Sequence, residues 1–219
     1  MIPAREAPLA GEKLASPFLD LLPISGVVVS VLDQENRLTR VHASDETAAR
    51  LEEIHFDLGE GPLFDCVGRA IPVLIPDVSA SEGWPIYFSQ PAAAVGAIFI
   101  FPLALGAVCI GAVLCYRSTP GELDASAIET GVALGRAIAG PALRRAIVVA
   151  DNEEPDGQLP IEVRREVHQA TGMVLLQLDT TATDAFASMR AYAFSRGVSL
   201  REVARDVVTR RLNFSALEE

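Results

Sequence analysis

Residues 92–116 read AAAVGAIFIFPLALGAVCIGAVLCY, an uncharged stretch that either crosses a membrane or lies in a globular core. Gly96, Gly106 and Gly111 interrupt it, and a proline lies near its middle. The pieces between them are short and rich in β-branched and aromatic side chains, which is typical of buried strands. No cluster of lysine and arginine flanks the stretch to orient it in a membrane. The pattern therefore predicts two strands of a buried sheet and no membrane association.

The composition indicates a folded, acidic chain with one basic region. Of the 219 residues, 50% are hydrophobic and 21% are charged, and the formal net charge is −11. This charge argues against electrostatic attraction of the whole chain to nucleic acid or to an anionic membrane. Residues 160–214, in contrast, hold eight arginines and six acidic residues, a net charge of +2. The C-terminal region is therefore the candidate for contact with an anionic partner.

The sequence around the uncharged stretch predicts an antiparallel α+β domain. Gly26–Leu32 and Leu38–Ala43 read as paired strands across a polar turn, and the segment after Pro120 reads as a helix. Gly140 and Pro141 are expected to kink or end that helix. The predicted organisation is a flexible lead-in at 1–15, a domain at 16–145, a linker at 146–160 and a helical domain at 161–214.

Beyond the linker, apolar residues recur at helical spacing in three short segments. Thr181 and Asp184 fit a capping box before the second segment, Gly197 fits its C-terminal end, and Ser199 with Glu202 fits a capping box before the third. Helices this short are not stable alone, so a small bundle is expected. The expected buried positions are Val163, Val167, Ala170, Val174, Leu178, Ala185, Phe186, Met189, Ala193, Leu200, Val203, Ala204, Val207 and Leu212.

No catalytic motif is present, we expect no enzyme and no metal site, and the sequence leaves the cofactor unknown. Three sparse cysteines do not make a disulfide framework, and the N-terminal residues lack a signal-peptide pattern, which favours the cytoplasm. Cys109 and Cys115 would share a face of one strand, as small core residues. Cys66 is a core residue or a pocket thiol, and Trp84 covers either the sheet or a ligand. The candidate ligand-pocket residues are Cys66, Trp84, Phe99, Cys109 and Tyr116.

The arginines of the helical domain are candidate phosphate contacts. Arg201 and Arg205 lie four residues apart on the third helix, and cations alternate with aromatic residues on the second. Guanidinium groups bind phosphates bidentately, and aromatic planes stack on unpaired bases. The alternative is a solvated surface neutralised by Glu166, Glu202 and Asp206.

Residues 160–213 resemble the ANTAR domain, a three-helix RNA-binding module of bacterial transcription antiterminators. The matching residues are Ala170, Gly172 and Met173, then Ala185, Phe186, Met189 and Arg190, then Leu200, Val203, Ala204, Val207 and Val208. The family often has lysine where Thr171 stands, which weakens a phosphate contact if that lysine makes one. The RNA-binding residues that this resemblance and the charge pattern suggest are Arg165, Thr171, Arg190, Tyr192, Arg201, Arg205, Arg210 and Arg211.

Residues 15–145 are similar to a GAF sensor domain, as found fused to ANTAR domains in actinobacteria. The motifs are Leu58–Pro62, Pro72–Asp77, Trp84-Pro85, Phe101–Leu103 and Gly111–Leu114. The two resemblances together imply a homodimeric sensor that binds paired stem-loops in leader RNA, with a possible small-molecule ligand in the GAF domain. The first alternative is a small-molecule sensor whose C-terminal bundle contacts protein. The second is a GAF-type methionine sulfoxide reductase, which needs a nucleophilic cysteine and a resolving partner.

Overall fold

The computed structural model describes residues 10–32, 38–89, 95–151 and 161–217, and the chain divides into two compact units, Met1–Gln158 and Leu159–Glu219. The first unit contains α1 (Gly11–Leu21), β1 (Gly26–Leu32), β2 (Leu38–Ala43), α2 (Glu46–Leu58), α3 (Pro62–Arg69), β3 (Val73–Ile75), α4 (Pro85–Ser89), β4 (Ala97–Leu105), β5 (Val108–Arg117) and α5 (Ala125–Asp151). The second contains α6 (Ile161–Leu178), α7 (Ala182–Arg196), α8 (Leu200–Val208) and a 3-10 turn at Phe214–Leu217.

The uncharged stretch forms the centre of a sheet, as its pattern predicted. The five strands are antiparallel in the order β2-β1-β5-β4-β3, and β4 and β5 come from residues 92–117. Gly106 joins them with a φ of 63°, a left-handed conformation that glycine adopts without steric cost. Within the described part of the chain, every helix is too short or too polar to serve as a membrane span. The predicted α+β class is confirmed.

Both faces of the sheet are buried, which explains the near-continuous apolar runs of its central strands. Phe99 and Phe101 face one side, where α1 and α5 pack on them. Ile98 and Ile100 face the other side, against α2, α3 and α4. The contact with α5 is close enough to require a glycine, because a Cβ at Gly131 would lie 2.4 Å from the Phe101 ring. The sheet is therefore the middle layer of three.

A shift in the strand register separates the two cysteines of β5. The pairing of β4 with β5 changes register between Pro102 and Ala104, and Ile110 then packs on the same side of the sheet as Cys115. At this shift β5 has one more residue than β4, which breaks the alternation of side chains between the two faces. Cys109 therefore faces away from the side on which Cys115 lies. The prediction that Cys109 and Cys115 share a face is therefore wrong.

Two predicted boundaries of the first unit differ from the structure. Helix α1 begins at Gly11, inside the predicted lead-in, of which residues 1–9 lie outside the described part. Helix α5 continues through Gly140 and Pro141 to Asp151, so the prediction that it could end there is wrong, while the alternative of a kink stays a prediction. Ala139, Ala142 and Ala146 are buried in the core, and this packing outweighs the hydrogen bond that proline removes.

Helix α5 also covers residues 146–151 of the predicted linker, and the rest of that linker, like the polar turn at 33–37, lies outside the described residues.

The three C-terminal helices and the N-cap residues Thr181 and Ser199 are confirmed, and the described bonds complete the predicted capping box at Ser199 and Glu202. The Thr181 hydroxyl accepts from the amide of Asp184 at 3.2 Å, and Gly197 ends α7 with a φ of 65°. The Ser199 hydroxyl accepts from the amide of Glu202 at 3.2 Å, while the Glu202 carboxylate accepts from the amide of Ser199 at 2.9 Å. The core of this bundle comprises Val167, Ala170, Val174, Ala185, Met189, Ala193, Leu200, Val203, Ala204 and Val207.

Candidate nucleic-acid interface

A cleft of about 340 Å³ opens on the second unit, where α7 and α8 meet the chain that follows α8. Burial of Leu200, Val203 and Val207 against the bundle fixes which face of α8 points outward. That face presents two carboxylates and an arginine to the cleft. The lining residues are Tyr192, Arg196, Val198, Glu202, Val203, Arg205, Asp206 and Arg211.

The ion pairs of Arg205 and Arg211 leave both guanidinium groups accessible. Arg205 lies 4.0 Å from a Glu166 oxygen and Arg211 lies 3.8 Å from an Asp206 oxygen, at the outer limit of a salt bridge. The two arginine side chains remain 49% and 73% exposed. Pairs of this kind contribute little to stability and yield readily to a better anionic partner. Both arginines can therefore bind a phosphate at the rim of the cleft.

Tyr192 is held between two other side chains at one wall of the cleft. The centre of the Arg196 guanidinium lies 5.3 Å from the centroid of the Tyr192 ring, and the Phe214 ring centroid lies 5.5 Å from it. Arg196 is exposed, whereas Phe214 is buried. The arrangement holds a planar cation at the surface over an aromatic ring.

A turn after α8 brings Arg211 back to the cleft. The amides of Arg211 and Leu212 both donate to the carbonyl of Asp206, at 2.7 and 3.0 Å. Arg210 makes this turn with a φ of 59°, a conformation that favours glycine and is uncommon for other residues. Arg210 itself is exposed beside the turn.

Tyr192, Arg205 and Arg211 are the predicted RNA-binding residues that line the cleft. The described lining does not include Arg190, Arg201 or Thr171, and Arg210 lies on the adjoining turn. Arg190 stacks over the Phe186 ring at 4.3 Å, and Arg201 is half-buried with its Nε unbonded among the described residues. Arg165 belongs to α6, but its side chain lies outside the described part.

The Thr171 side chain contacts other groups of the bundle. Its hydroxyl donates to the carbonyl of Val167 at 2.7 Å and lies 3.9 Å from the sulfur of Met189. The hydroxyl is therefore engaged within α6 and beside α7, and the assignment of Thr171 to the RNA-binding set stays a prediction. Arg196 was missing from that set, although its spacing of four residues from Tyr192 on one helix was the available signal.

The five residues predicted to form a ligand pocket do not line one cavity. Cys66, Tyr116 and Trp84 belong to the side of the sheet covered by α2, α3 and α4. Phe99 is buried on the opposite side, since it pairs with Cys115 while Tyr116 pairs with Ile98. The set is therefore corrected, because neighbouring strand positions face opposite layers.

Burial keeps the cysteine thiols protonated. It raises the pKa of Cys66 to about 12, and it raises the pKa values of Cys115 and Cys109. A thiolate is the nucleophilic form of cysteine, and these groups do not supply one near neutral pH. The thiol of Cys66 instead contacts the carbonyl of Ile100, with its sulfur 3.7 Å from the oxygen.

Residues 160–208 match the family model of the ANTAR domain. The first unit is similar in structure to the GAF domain of a phosphoenolpyruvate-protein phosphotransferase from Acinetobacter, with 15% identity over 69% of this chain and 90% of that one and a TM-score of 0.51. A cyanobacteriochrome GAF domain gives 14% identity over 67% and 98%, with a TM-score of 0.50. A type II free methionine-R-sulfoxide reductase from Thermoplasma acidophilum gives 14% over 62% and 93%, with a TM-score of 0.50.

At these identities the likeness establishes the fold alone. No curated protein matches the chain. The chain therefore joins a unit with a GAF-like fold to a C-terminal region that matches the ANTAR domain family.

Proposed function

We propose that this chain is a signal-responsive, RNA-binding transcription antitermination regulator, of the kind in which a GAF domain precedes an ANTAR domain in actinobacteria. The observation that carries the proposal is the cleft of the second unit, where accessible arginines surround a stacked aromatic ring. Arginine forks bind the phosphates of folded RNA, and planar side chains bind its unpaired bases. The match of residues 160–208 to the ANTAR domain supports the same function.

In this proposal the helical unit stabilises small stem-loops in a leader transcript. An antiterminator hairpin competes with an overlapping terminator hairpin for the same nucleotides, and the protein binds only the first. Binding therefore shifts the population towards read-through by the free energy of that selective contact. Arg205 and Arg211 contact phosphates at the rim of the cleft, with Arg210 beside them, and this activity takes place in the cytoplasm.

A homodimer explains how one regulator binds two linked stem-loops, with one helical unit on each. The GAF-like unit is the candidate sensor, with a small molecule as its candidate ligand. A signal acts by favouring either the dimer or the RNA-binding state, which requires different ligand affinities for the two states. The role is regulatory and not enzymatic, and the raised pKa values of the three thiols support this part of the proposal.

The second candidate function is a sensor whose helical unit contacts another protein. Two exposed apolar side chains favour it, since Phe194 is 57% exposed and Leu176 is 80% exposed. Isolated exposed apolar residues are common on monomeric proteins, so this observation carries less weight than the cleft.

Binding of the full chain to paired stem-loops, single stem-loops and a random RNA of equal length, at a stated salt concentration, tests the two candidates. Charge reversal at Arg205 and Arg211 is expected to abolish the preference for stem-loops, because both face the cleft. Arg69→Glu is the control, since the Arg69 side chain is about as exposed as that of Arg211 but lies on the GAF-like unit. Equal affinity for stem-loops and random RNA would contradict the proposed function.

A further inference from the structure

We propose that the cleft is a subsite for a single unpaired nucleobase, which stacks on the guanidinium plane of Arg196. This inference deepens the proposed RNA-binding function and rests on it. Arg196 lies over the Tyr192 ring, 5.3 Å from its centroid, and is an exposed residue of the cleft lining. A base placed there continues a stack of ring, cation and base.

The charges within the cleft favour a base over a phosphate. Glu202 and Asp206 line it together with the arginines, and both carboxylates repel a second anion. The hydrogen bonds from Ser199 lower the pKa of Glu202, which keeps this carboxylate charged. Carboxylates accept hydrogen bonds from the amino and imino groups of a base. Phosphates therefore bind Arg205 and Arg211 at the rim, while a neutral base enters between them.

Apolar surface in the same cleft fits the faces and edges of a heterocycle. Val198 is 40% exposed and Val203 forms part of the lining. Binding of phosphate alone would not require an aromatic ring and two valines in the lining.

The wall behind Tyr192 comes from residues outside the ANTAR match, which ends at residue 208. The amide of Phe214 donates to the Gln177 side chain at 2.9 Å, and the Ser215 hydroxyl donates to the Gln177 carbonyl at 2.7 Å. These bonds fix the 3-10 turn against α6 and hold the Phe214 ring 5.5 Å from that of Tyr192. Tyr192 is thereby fixed before a base arrives, which reduces the entropy lost on binding.

The first arm of the test uses free mononucleotides and the full chain. AMP, GMP, CMP and UMP are titrated separately, with inorganic phosphate as the control, while the Arg196 side-chain Nε–H resonance is followed by NMR. A shift with at least one nucleotide and none with phosphate is expected. Equal shifts with phosphate and with every nucleotide would mean an anion site and would overturn the proposal.

The second arm uses a hairpin selected by the full chain from a pool with randomised loops. An abasic nucleotide at one loop position is expected to weaken binding about tenfold, and Arg196→Lys to weaken binding of the intact hairpin by a similar factor. Lysine keeps the positive charge of arginine but lacks its planar guanidinium group. On the abasic hairpin, Arg196→Lys should have no further effect. Arg205→Lys is the matched control and should act equally on both RNAs.

The outcomes separate the two proposals. Tight hairpin binding that Arg196→Lys weakens equally with and without the base would overturn the subsite and leave RNA binding intact. Nucleotide shifts at Arg196 without selection of any hairpin would support the base site and contradict the regulator.

Discussion

His55 is a fully buried histidine that the fold keeps neutral. Its Nδ1–H donates to the carbonyl of Leu51 at 2.8 Å, and its Nε2 accepts from the amide of Leu63 at 3.1 Å. Leu63 lies in the first turn of α3, where amides have no partner within the helix. The imidazole of α2 therefore satisfies the start of α3, and burial lowers its pKa to about 3.

This geometry predicts acid sensitivity of the GAF-like unit. In the unfolded chain His55 binds a proton near its ordinary pKa of 6.5, whereas in the folded chain it does so only near 3. Its contribution to the free energy of unfolding is complete above pH 6.5 and decreases as the pH falls towards 3. Between pH 8 and pH 5 we expect a loss of about 2 kcal/mol. Urea unfolding followed by the fluorescence of Trp84, the single tryptophan, measures it.

The control for this measurement is His55→Gln, which offers a donor and an acceptor but does not titrate. It is expected to lower stability at every pH and to remove the decrease between pH 6.5 and pH 5. If the decrease persists in this variant, other groups cause it.

A substitution at Thr171 distinguishes a structural role of its hydroxyl from a contact with RNA. Thr171→Val keeps the shape of the side chain and removes only the hydroxyl that donates to Val167. We expect RNA affinity within about twofold of the wild type and a change in stability below about 1 kcal/mol. Arg205→Gln should instead weaken binding and reduce the slope of log affinity against log salt by about 0.7 to 0.9. A loss for Thr171→Val equal to that for Arg205→Gln would assign Thr171 to the RNA-binding surface.

Helix α8 depends on its cap, because nine residues do not form a stable helix alone. Ser199→Ala removes the acceptor for the Glu202 amide, and we expect a loss of about 1 kcal/mol in the stability of the helical unit. Faster hydrogen exchange of the α8 amides measures this loss locally. Ser199→Asp retains an acceptor and is expected to exchange nearly as slowly as the wild type. Equal exchange in the alanine and aspartate variants would show that packing alone holds the helix.

Elements were predictable where one local rule dominated. Short apolar runs between glycines predicted β4 and β5, and serine or threonine before an apolar stripe predicted the starts of α7 and α8. The passage of α5 through Pro141 was not predictable, because burial against the sheet outweighs the local preference. The register shift beside Pro102 could not be predicted from the sequence either, since a bulge depends on how two strands pair.

The cleft was predictable in part of its charges and in Tyr192. Arg205 and Arg211 followed from the basic composition of the C-terminal region. The wall at Phe214 follows a turn in which Arg210 adopts a left-handed conformation. Sequence patterns do not reveal such a turn when the residue is not glycine or asparagine. The turn and the Phe214 wall were therefore missed, while Tyr192, Arg205 and Arg211 were predicted.

For the molecule as a whole, we expect dimerisation to connect the proposed sensor unit to the affinity for paired stem-loops. Two RNA-binding units in one dimer turn the second binding event into an intramolecular one, which raises affinity for linked hairpins without new contacts. We expect the α5 helices to form the dimer interface, where Ile147 is a candidate contact at 51% exposure. Ile147→Glu is expected to give a monomer in sedimentation equilibrium and to reduce the preference for paired over single stem-loops at least about tenfold.

The affinity of this variant for a single stem-loop should not change, because Ile147 lies on the GAF-like unit and the cleft lies on the helical unit. Leu74→Glu is the control, since Leu74 is a partly exposed apolar residue of the edge strand β3. It should leave both the dimer and the RNA preference unchanged. A monomeric Ile147→Glu protein that still prefers paired stem-loops would mean that one helical unit binds both hairpins, and the sensor would then have to act on RNA affinity within a single chain.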